Sequence, residues 1–318
     1  MLFATSSHCC KQLRRLLYNQ ATNLIAPTIY LKMKSLCFLL LLPLVLATLS
    51  PDEEPSEAIF GGTQATLGQW PWQAFLDLND PAGGKFYCGG TLITQRHVLT
   101  AAHCLLRCGP GSIVKLGVID RKATSSTPGA QIVGVKSYIS HPGYKFGPGH
   151  HNDIGVITLD SNVNYTSQVS PINIPSDDSA LLNLFSYVSG FGVFKYNGAQ
   201  PIASRYLQWA KVPIVNFQYC KNRYQQITNG KAILTSKQIC AGSNGKGVGK
   251  QDSGGPLQIY INNYWYQIGI CSIGLGNRTM NIFPNQAQYP AVFTRCSQYC
   301  SFIASATNNE FHCSSPSL

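Results

Sequence analysis

From residue 59 onward the chain is written in apolar runs of four to nine residues, broken by Gly, Pro and Asn. The runs fall at 73–78, 90–93, 97–101, 112–118, 131–139, 154–159, 184–190, 206–212, 256–261, 265–270 and 291–294. Short runs at this spacing predict strands and an all-β sandwich or barrel protein. Only residues 295–306 read as a helix, with Tyr299, Phe302 and Ile303 as its apolar face. The segment 171–175 (PINIP), followed by Ser176-Asp177-Asp178, marks a boundary between two halves, at about 59–170 and 185–294. Each half has about 120 residues, enough for a six-stranded barrel.

The N-terminal part follows a different pattern. Its one strong apolar run, residues 36–47 (LCFLLLLPLVLA), comes directly after Lys32, Met33, Lys34 and Ser35. A basic start, a short apolar stretch and small residues near its end describe a signal peptide, residues 33–47. Val45 and Ala47, or Ser50, could close it. Residues 1–32 are an upstream extension of doubtful status. A signal-anchor with the basic tail Lys11, Arg14 and Arg15 is the alternative, but twelve apolar residues interrupted by Pro43 are short for one. Residues 48–58 carry the acidic stretch PDEEPSEA and read as a short propeptide. No run reaches the ~20 residues of a helical membrane span. Twelve Cys fit an oxidising compartment, so we expect a secreted, extracellular protein.

Composition narrows the function classes. Of 318 residues, 12% are charged and 44% hydrophobic, which argues against a disordered chain or a coiled coil. The net charge is +11, and +10 for residues 59–318, but no dense Lys/Arg run occurs. A nucleic-acid partner is therefore not expected. A basic binder of acidic extracellular polymers would rest on this charge alone.

Three segments carry chemistry: Thr100-Ala101-Ala102-His103-Cys104, His151-Asn152-Asp153-Ile154-Gly155-Val156, and Asp252-Ser253-Gly254-Gly255-Pro256-Leu257. A serine hydroxyl is a poor nucleophile, needing a base within reach and a carboxylate that orients that base. Together the segments resemble the TAAHC, DIAL and GDSGGP signatures of the chymotrypsin-like (trypsin-fold) serine peptidases, in the family's order His, Asp, Ser. The likeness runs from about residue 59 to residue 303. It implies two antiparallel six-stranded β-barrels with a short C-terminal helix. It also implies catalytic roles for His103, Asp153 and Ser253, with an oxyanion hole from the N–H groups of Gln251 and Ser253.

Further landmarks follow from the same resemblance. Ile59-Phe60-Gly61-Gly62 resembles the mature N-terminus, whose ammonium would pair with Asp252 after cleavage. Cys88 and Cys104, and Cys220 and Cys240, match two family bridges. Ser189-Gly190-Phe191-Gly192 resembles the SGWG turn, and Ser272-Ile273-Gly274 the strand that pairs with extended substrate. Gly247, six residues before Ser253, and Gly274 and Ala291 match the specificity pocket; trypsin-like members carry Asp where Gly247 stands. A pocket without an acid implies cleavage after uncharged apolar residues.

Four departures stand out. Gln251 replaces the glycine before Asp-Ser; its Cβ is expected to resist the backbone conformation, and loss of one oxyanion donor costs about 10²–10³ in rate. Two family bridges lack both cysteines, at Gly249 with Asn277 and at Ser186 with Ile259. Cys108, Cys271, Cys296, Cys300 and Cys313 are left over; maximal pairing leaves one free, and the arrangement stays open, with Cys296 and Cys300 able to face one partner. Ala58 precedes Ile59 where the family has a basic residue. Ile273 replaces the usual Trp, keeping one groove wall apolar but shorter.

Sequons occur at Asn164 and Asn277. His150 and His151 read as a loop, and no metal or other cofactor is expected. The sequence thus describes a secreted serine endopeptidase, expected as a monomer, with polypeptide substrates, an activating protease and a macromolecular inhibitor as partners. The alternative is an impaired homologue acting as a binding or regulatory module.

Overall fold

Strands of the first half pair mainly with close neighbours in sequence, as short linkers between half-buried runs require. The computed structural model describes residues 59–197, 200–274 and 285–316. The expected signal peptide, propeptide and upstream extension lie outside these residues, as does Asn277. The strands are β1 (Thr63–Gln64), β2 (Gln73–Asn79), β3 (Lys85–Leu92), β4 (His97–Thr100), β5 (Ile113–Leu116), β6 (Gln131–Ser140) and β7 (Gly155–Leu159). Strands β2 to β7 close an antiparallel barrel in the order β2-β3-β4-β7-β6-β5. Leu76, Leu78, Leu92, Leu99, Leu116 and Leu159 are fully buried in its core cluster.

The second half supplies β8 (Phe185–Gly190), β9 (Val193–Asn197), β10 (Gln200–Ala203), β11 (Gln208–Val215), β12 (Gln238–Ala241), β13 (Pro256–Ile261), β14 (Tyr264–Ile273) and β15 (Ala291–Arg295). The sheet order is β1-β11-β12-β15-β14-β13-β8, and β8 pairs back onto β11. Six strands therefore close a second barrel, with β1 added at β11.

Between the barrels, Trp70 packs on Trp72, Tyr187 and Trp265, with ring centroids 4.9–6.2 Å apart. Buried glutamines tie the two barrels together. Trp72 Nε1 donates to Gln258 Oε1 (2.6 Å), Ser189 Oγ to Gln73 Oε1 (2.7 Å) and Thr91 Oγ1 to Gln267 Oε1 (2.6 Å). Such bonds are strong in a low-dielectric interior and fix one relative placement.

Helices are α1 (Ala102–Leu105), α2 (Phe217–Ile227) and α3 (Cys300–Ala306), the last entered through a 3₁₀ turn at Cys296–Tyr299. Tyr299 and Ile303 are buried, as the apolar face of the tail predicts. Helix α2 corrects the expectation of a single helix. It buries only Cys220 and Tyr224, so its sequence shows no broad apolar stripe. Three disulfides are present: Cys88–Cys104, Cys220–Cys240 and Cys300–Cys313. Cys108, Cys271 and Cys296 are buried and unpaired, so three thiols remain free where maximal pairing leaves one. Cys300 does not share a partner with Cys296. It reaches forward to Cys313, whose neighbour Ser314 donates to Ile174 O (3.0 Å) and binds the tail to the inter-barrel segment. Among the described residues, no helix is long and apolar enough to cross a membrane.

Candidate active site

His103 sits in the single turn α1, directly after β4. The Cys104 bridge to Cys88 on β3 pins that turn to the barrel wall. Asp153 ends a tight loop before β7, in which His150 (φ 40°) and Asn152 (φ 56°) take left-handed backbone. Asn tolerates that conformation well. The Asn152 side chain braces the loop, donating to Gly143 O (2.7 Å) and accepting from Tyr299 Oη (3.1 Å).

Asp153 is fully buried and surrounded by donors. Its Oδ1 accepts from the His103 backbone N–H (2.9 Å). Its Oδ2 accepts from His103 Nδ1 (2.8 Å) and Ser272 Oγ (2.6 Å), with His150 Nδ1 at 3.4 Å. Burial alone would raise this carboxyl, but the His103 charge and the hydrogen bonds from His103, His150 and Ser272 hold it well below the usual range. Asp153 thus stays ionised, and its Oδ2 holds the His103 ring through Nδ1.

Ser253 stands between Gln251 (φ 73°) and Gly254 (φ 81°), just before β13. Gly254 must be glycine: a Cβ there would lie 2.2 Å from Thr100 Oγ1 and 2.4 Å from Gly89 O. This close approach lays the Ser253 turn against β3 and β4. The Gly89 N–H donates to Ser253 O (2.7 Å), and Cys104 Sγ lies 3.6 Å from the same oxygen. Ser253 is thereby placed beside the turn that carries His103. No hydrogen bond joins Ser253 Oγ to His103 among the described residues; such contacts are often long before substrate tightens them.

Gln251 keeps the left-handed turn despite its Cβ, and its Oε1 accepts from Arg121 Nη1 (3.3 Å). Asp252 is buried, accepting from the Gly192 N–H (2.8 Å) and the Gly249 N–H (2.7 Å). Burial raises its carboxyl to about 7, against which these two bonds act only in part. Ile59 is fully buried in the second barrel's core cluster.

Pocket residues fall on three segments. Gly247 donates through its N–H to Phe60 O (3.1 Å). Ile273 pairs with Val292, and Ala291 with Ala241. Gly274 is exposed at the end of β14. Ser272 belongs to the strand expected to pair with substrate through its backbone, and its side chain donates to Asp153. His150, read from sequence as a plain loop residue, lies with its ring 5.5 Å from that of His103. Its place three residues before Asp153 was the only signal, and spacing alone does not predict it. His103, His150 and Asp153 are also close enough to share a metal ion, but the carboxylate oxygens are already occupied by these donors. Asn164 is exposed, in the linker after β7.

The trypsin family profile matches residues 59–303. The chain is 32% identical over 261 residues to a venom protease of Bombus pensylvanicus, covering 78% of this chain and 99% of that one. It is 33% identical over 251 residues to venom serine protease Bi-VSP of Bombus ignitus, covering 76% of this chain and 66% of the relative. Against CLIP domain-containing serine protease B4 of Anopheles gambiae it is 32% identical over 267 residues, covering 78% and 70%. These relatives lend no support to an impaired binding module. With both barrels closed and this similarity across nearly all of residues 59–303, the chain belongs to the trypsin family of serine proteases.

Proposed function

We propose that this chain is a secreted serine endopeptidase acting through an acyl-enzyme formed on Ser253. The observation that carries the reading is the buried, ionised Asp153 bound to both the Nδ1 and the backbone N–H of His103, beside the glycine-bounded turn of Ser253. Ser253 Oγ attacks the scissile carbonyl carbon while His103 Nε2 takes its proton. The carbonyl electrons move onto oxygen, facing the N–H groups of Gln251 and Ser253. Collapse breaks the C–N bond, and His103 returns the proton to the leaving amine. Water then repeats the sequence on the acyl-enzyme and frees Ser253. Asp153 keeps its negative charge throughout and stabilises the imidazolium.

Residues 33–47 act as the signal peptide and 48–58 as a propeptide, and cleavage after Ala58 frees the Ile59 ammonium for Asp252. The activator is thus a protease that accepts a small residue before the cut. A macromolecular inhibitor and polypeptide substrates complete the partners, and the enzyme works as a monomer. Cleavage follows an uncharged residue, since Gly247 supplies no acid. Glycans on Asn164 and Asn277 fit the extracellular setting.

The test is protein with Ile59 as its N-terminus, assayed on an unfolded protein substrate. Ser253→Ala and His103→Ala are each expected to lower kcat by about 10⁴-fold or more. Unchanged turnover in either variant would overturn the mechanism.

A further inference from the structure

Beside the loop that carries Asp153, the surface folds into a cavity of about 460 Å³. Small-ligand sites commonly have about 300–1,000 Å³. Three segments meet there: the loop before β7, the residues leading into β12, and the 3₁₀ turn before α3. Gln238 and Tyr299 are buried and form the floor, while Lys145 and Lys237 are exposed at the rim. None of the eight lining residues is an aspartate or a glutamate.

The hydrogen-bond inventory of this wall is one-sided. Gln238 Oε1 accepts from the Thr235 N–H (3.0 Å), and its Nε2 donates to Gly149 O (2.8 Å). Asn152 Oδ1 accepts from Tyr299 Oη (3.1 Å), and its Nδ2 donates to Gly143 O (2.7 Å). The side-chain carbonyl oxygens of the wall are thus engaged within the protein. Donors remain. Among the described residues, neither Lys145 nor Lys237 forms a salt bridge. Lys237 Nζ lies 5.5 Å from the centroid of the Tyr299 ring, which draws its charge in over the floor. Thr235 Oγ1 accepts from the Lys237 N–H (3.4 Å) and keeps its own proton to give. Asp153 is next in the chain to Asn152, but its oxygens are taken up by His103 and Ser272.

We propose that this cavity binds a dianionic tetrahedral oxyanion, a phosphate group, held between Lys145 and Lys237. The inference goes beyond the peptidase reading and does not rest on it. Two ammonium groups balance two negative charges, and a phosphate group carries about −1.5 to −2 at pH 7. Its oxygens suffice for both ammonium groups and for the Thr235 hydroxyl. A carboxylate brings one charge and only two oxygens. The volume leaves space for the group to which a phosphate monoester is attached.

The test is calorimetric titration near neutral pH and at fixed ionic strength, on secreted protein carrying Ser253→Ala, so that turnover plays no part. Inorganic phosphate and glycerophosphate are expected to saturate one site, with Kd in the millimolar range or tighter. Methyl sulfate, with a single charge, should bind about fivefold more weakly or worse. Lys145→Gln and Lys237→Gln should each weaken phosphate by about tenfold, and the corresponding Lys→Arg changes should retain it. Lys211→Gln, whose ammonium sits over Phe185 instead, should change nothing. Melting curves without ligand establish that each variant is folded, so that lost binding reports on the site. Tighter binding of glycerophosphate than of phosphate assigns the site to an ester, and equal binding assigns it to the free ion; both support the proposal. Absence of saturation, an equal loss in Lys211→Gln, or methyl sulfate binding as tightly as phosphate would overturn it.

Discussion

Gln251 carries the clearest local strain at the site. Its φ of 73° costs an L-residue with a Cβ roughly 1–2 kcal/mol. The backbone turn that a glycine would make is retained, with Arg121 holding the side chain. Gln251→Gly is therefore expected to raise unfolding stability by about 1 kcal/mol in urea, without lowering kcat/KM. A loss of both would show that the Arg121 contact outweighs the strain. Ser272→Ala removes a 2.6 Å donor from Asp153. Steady-state kinetics should show kcat down by about tenfold with KM unchanged, since the lost bond orients the carboxylate and touches no substrate. His103, Asp153 and Ser253 were singled out because their segments resemble the family's three signatures, and the structure joins the first two by hydrogen bonds. The roles of the Ser272 hydroxyl and His150 were not legible. Ser272 meets Asp153 across 119 residues of chain, and contacts of that kind are products of folding that leave no local pattern.

At the scale of elements, strands with buried apolar residues were legible, and polar elements were not. The β9–β10 hairpin is largely exposed, so no alternation announces it. Helix α2 is held by Cys220, Tyr224 and its cap, not by an apolar stripe. Its readable signal was Asn216, whose Oδ1 accepts from the Tyr219 N–H (3.0 Å). Asn216→Ala should destabilise the protein by about 1 kcal/mol in denaturant titration. The Cys300–Cys313 pairing could not be chosen from five candidates, because it depends on where the chain after α3 turns back. Replacing both cysteines by serine should cost about 3 kcal/mol of stability by the chain-entropy argument. Turnover at a temperature where the protein stays folded should be unchanged, since the staple lies outside the catalytic groups.

Across the whole domain, the buried Asp252 ties stability to pH, and the proposed activation predicts how cleavage changes that tie. Its carboxyl is raised to about 7 from an ordinary 3.8, so the folded uncut chain holds a proton that the unfolded chain loses. This contribution, on the order of 4 kcal/mol, is full below about pH 4 and is lost as pH rises through about 7. Asp153 is shifted the opposite way, and its contribution is already complete above about pH 4. Urea titrations from pH 4 to pH 8 should therefore show the uncut chain weakening as pH rises. Asp252→Asn should flatten the slope, and so should cleavage before Ile59 if, as proposed, it brings the new ammonium to Asp252. A slope that persists in the cut protein would contradict the pairing of Ile59 with Asp252. The division into two barrels was legible in strand count and the 171–175 boundary. The glutamine bonds that join them were not, since a buried Gln reads as a surface residue until its partner is known.

The central claim is that Ser253 is an activated nucleophile despite Gln251. The most direct measurement treats protein whose N-terminus is verified as Ile59 with a fluorophosphonate probe and maps the adduct by mass spectrometry. We predict a single adduct on Ser253, absent in Ser253→Ala and strongly reduced in His103→Ala. Folded protein with a free Ile59 terminus and no adduct on Ser253 would contradict the account.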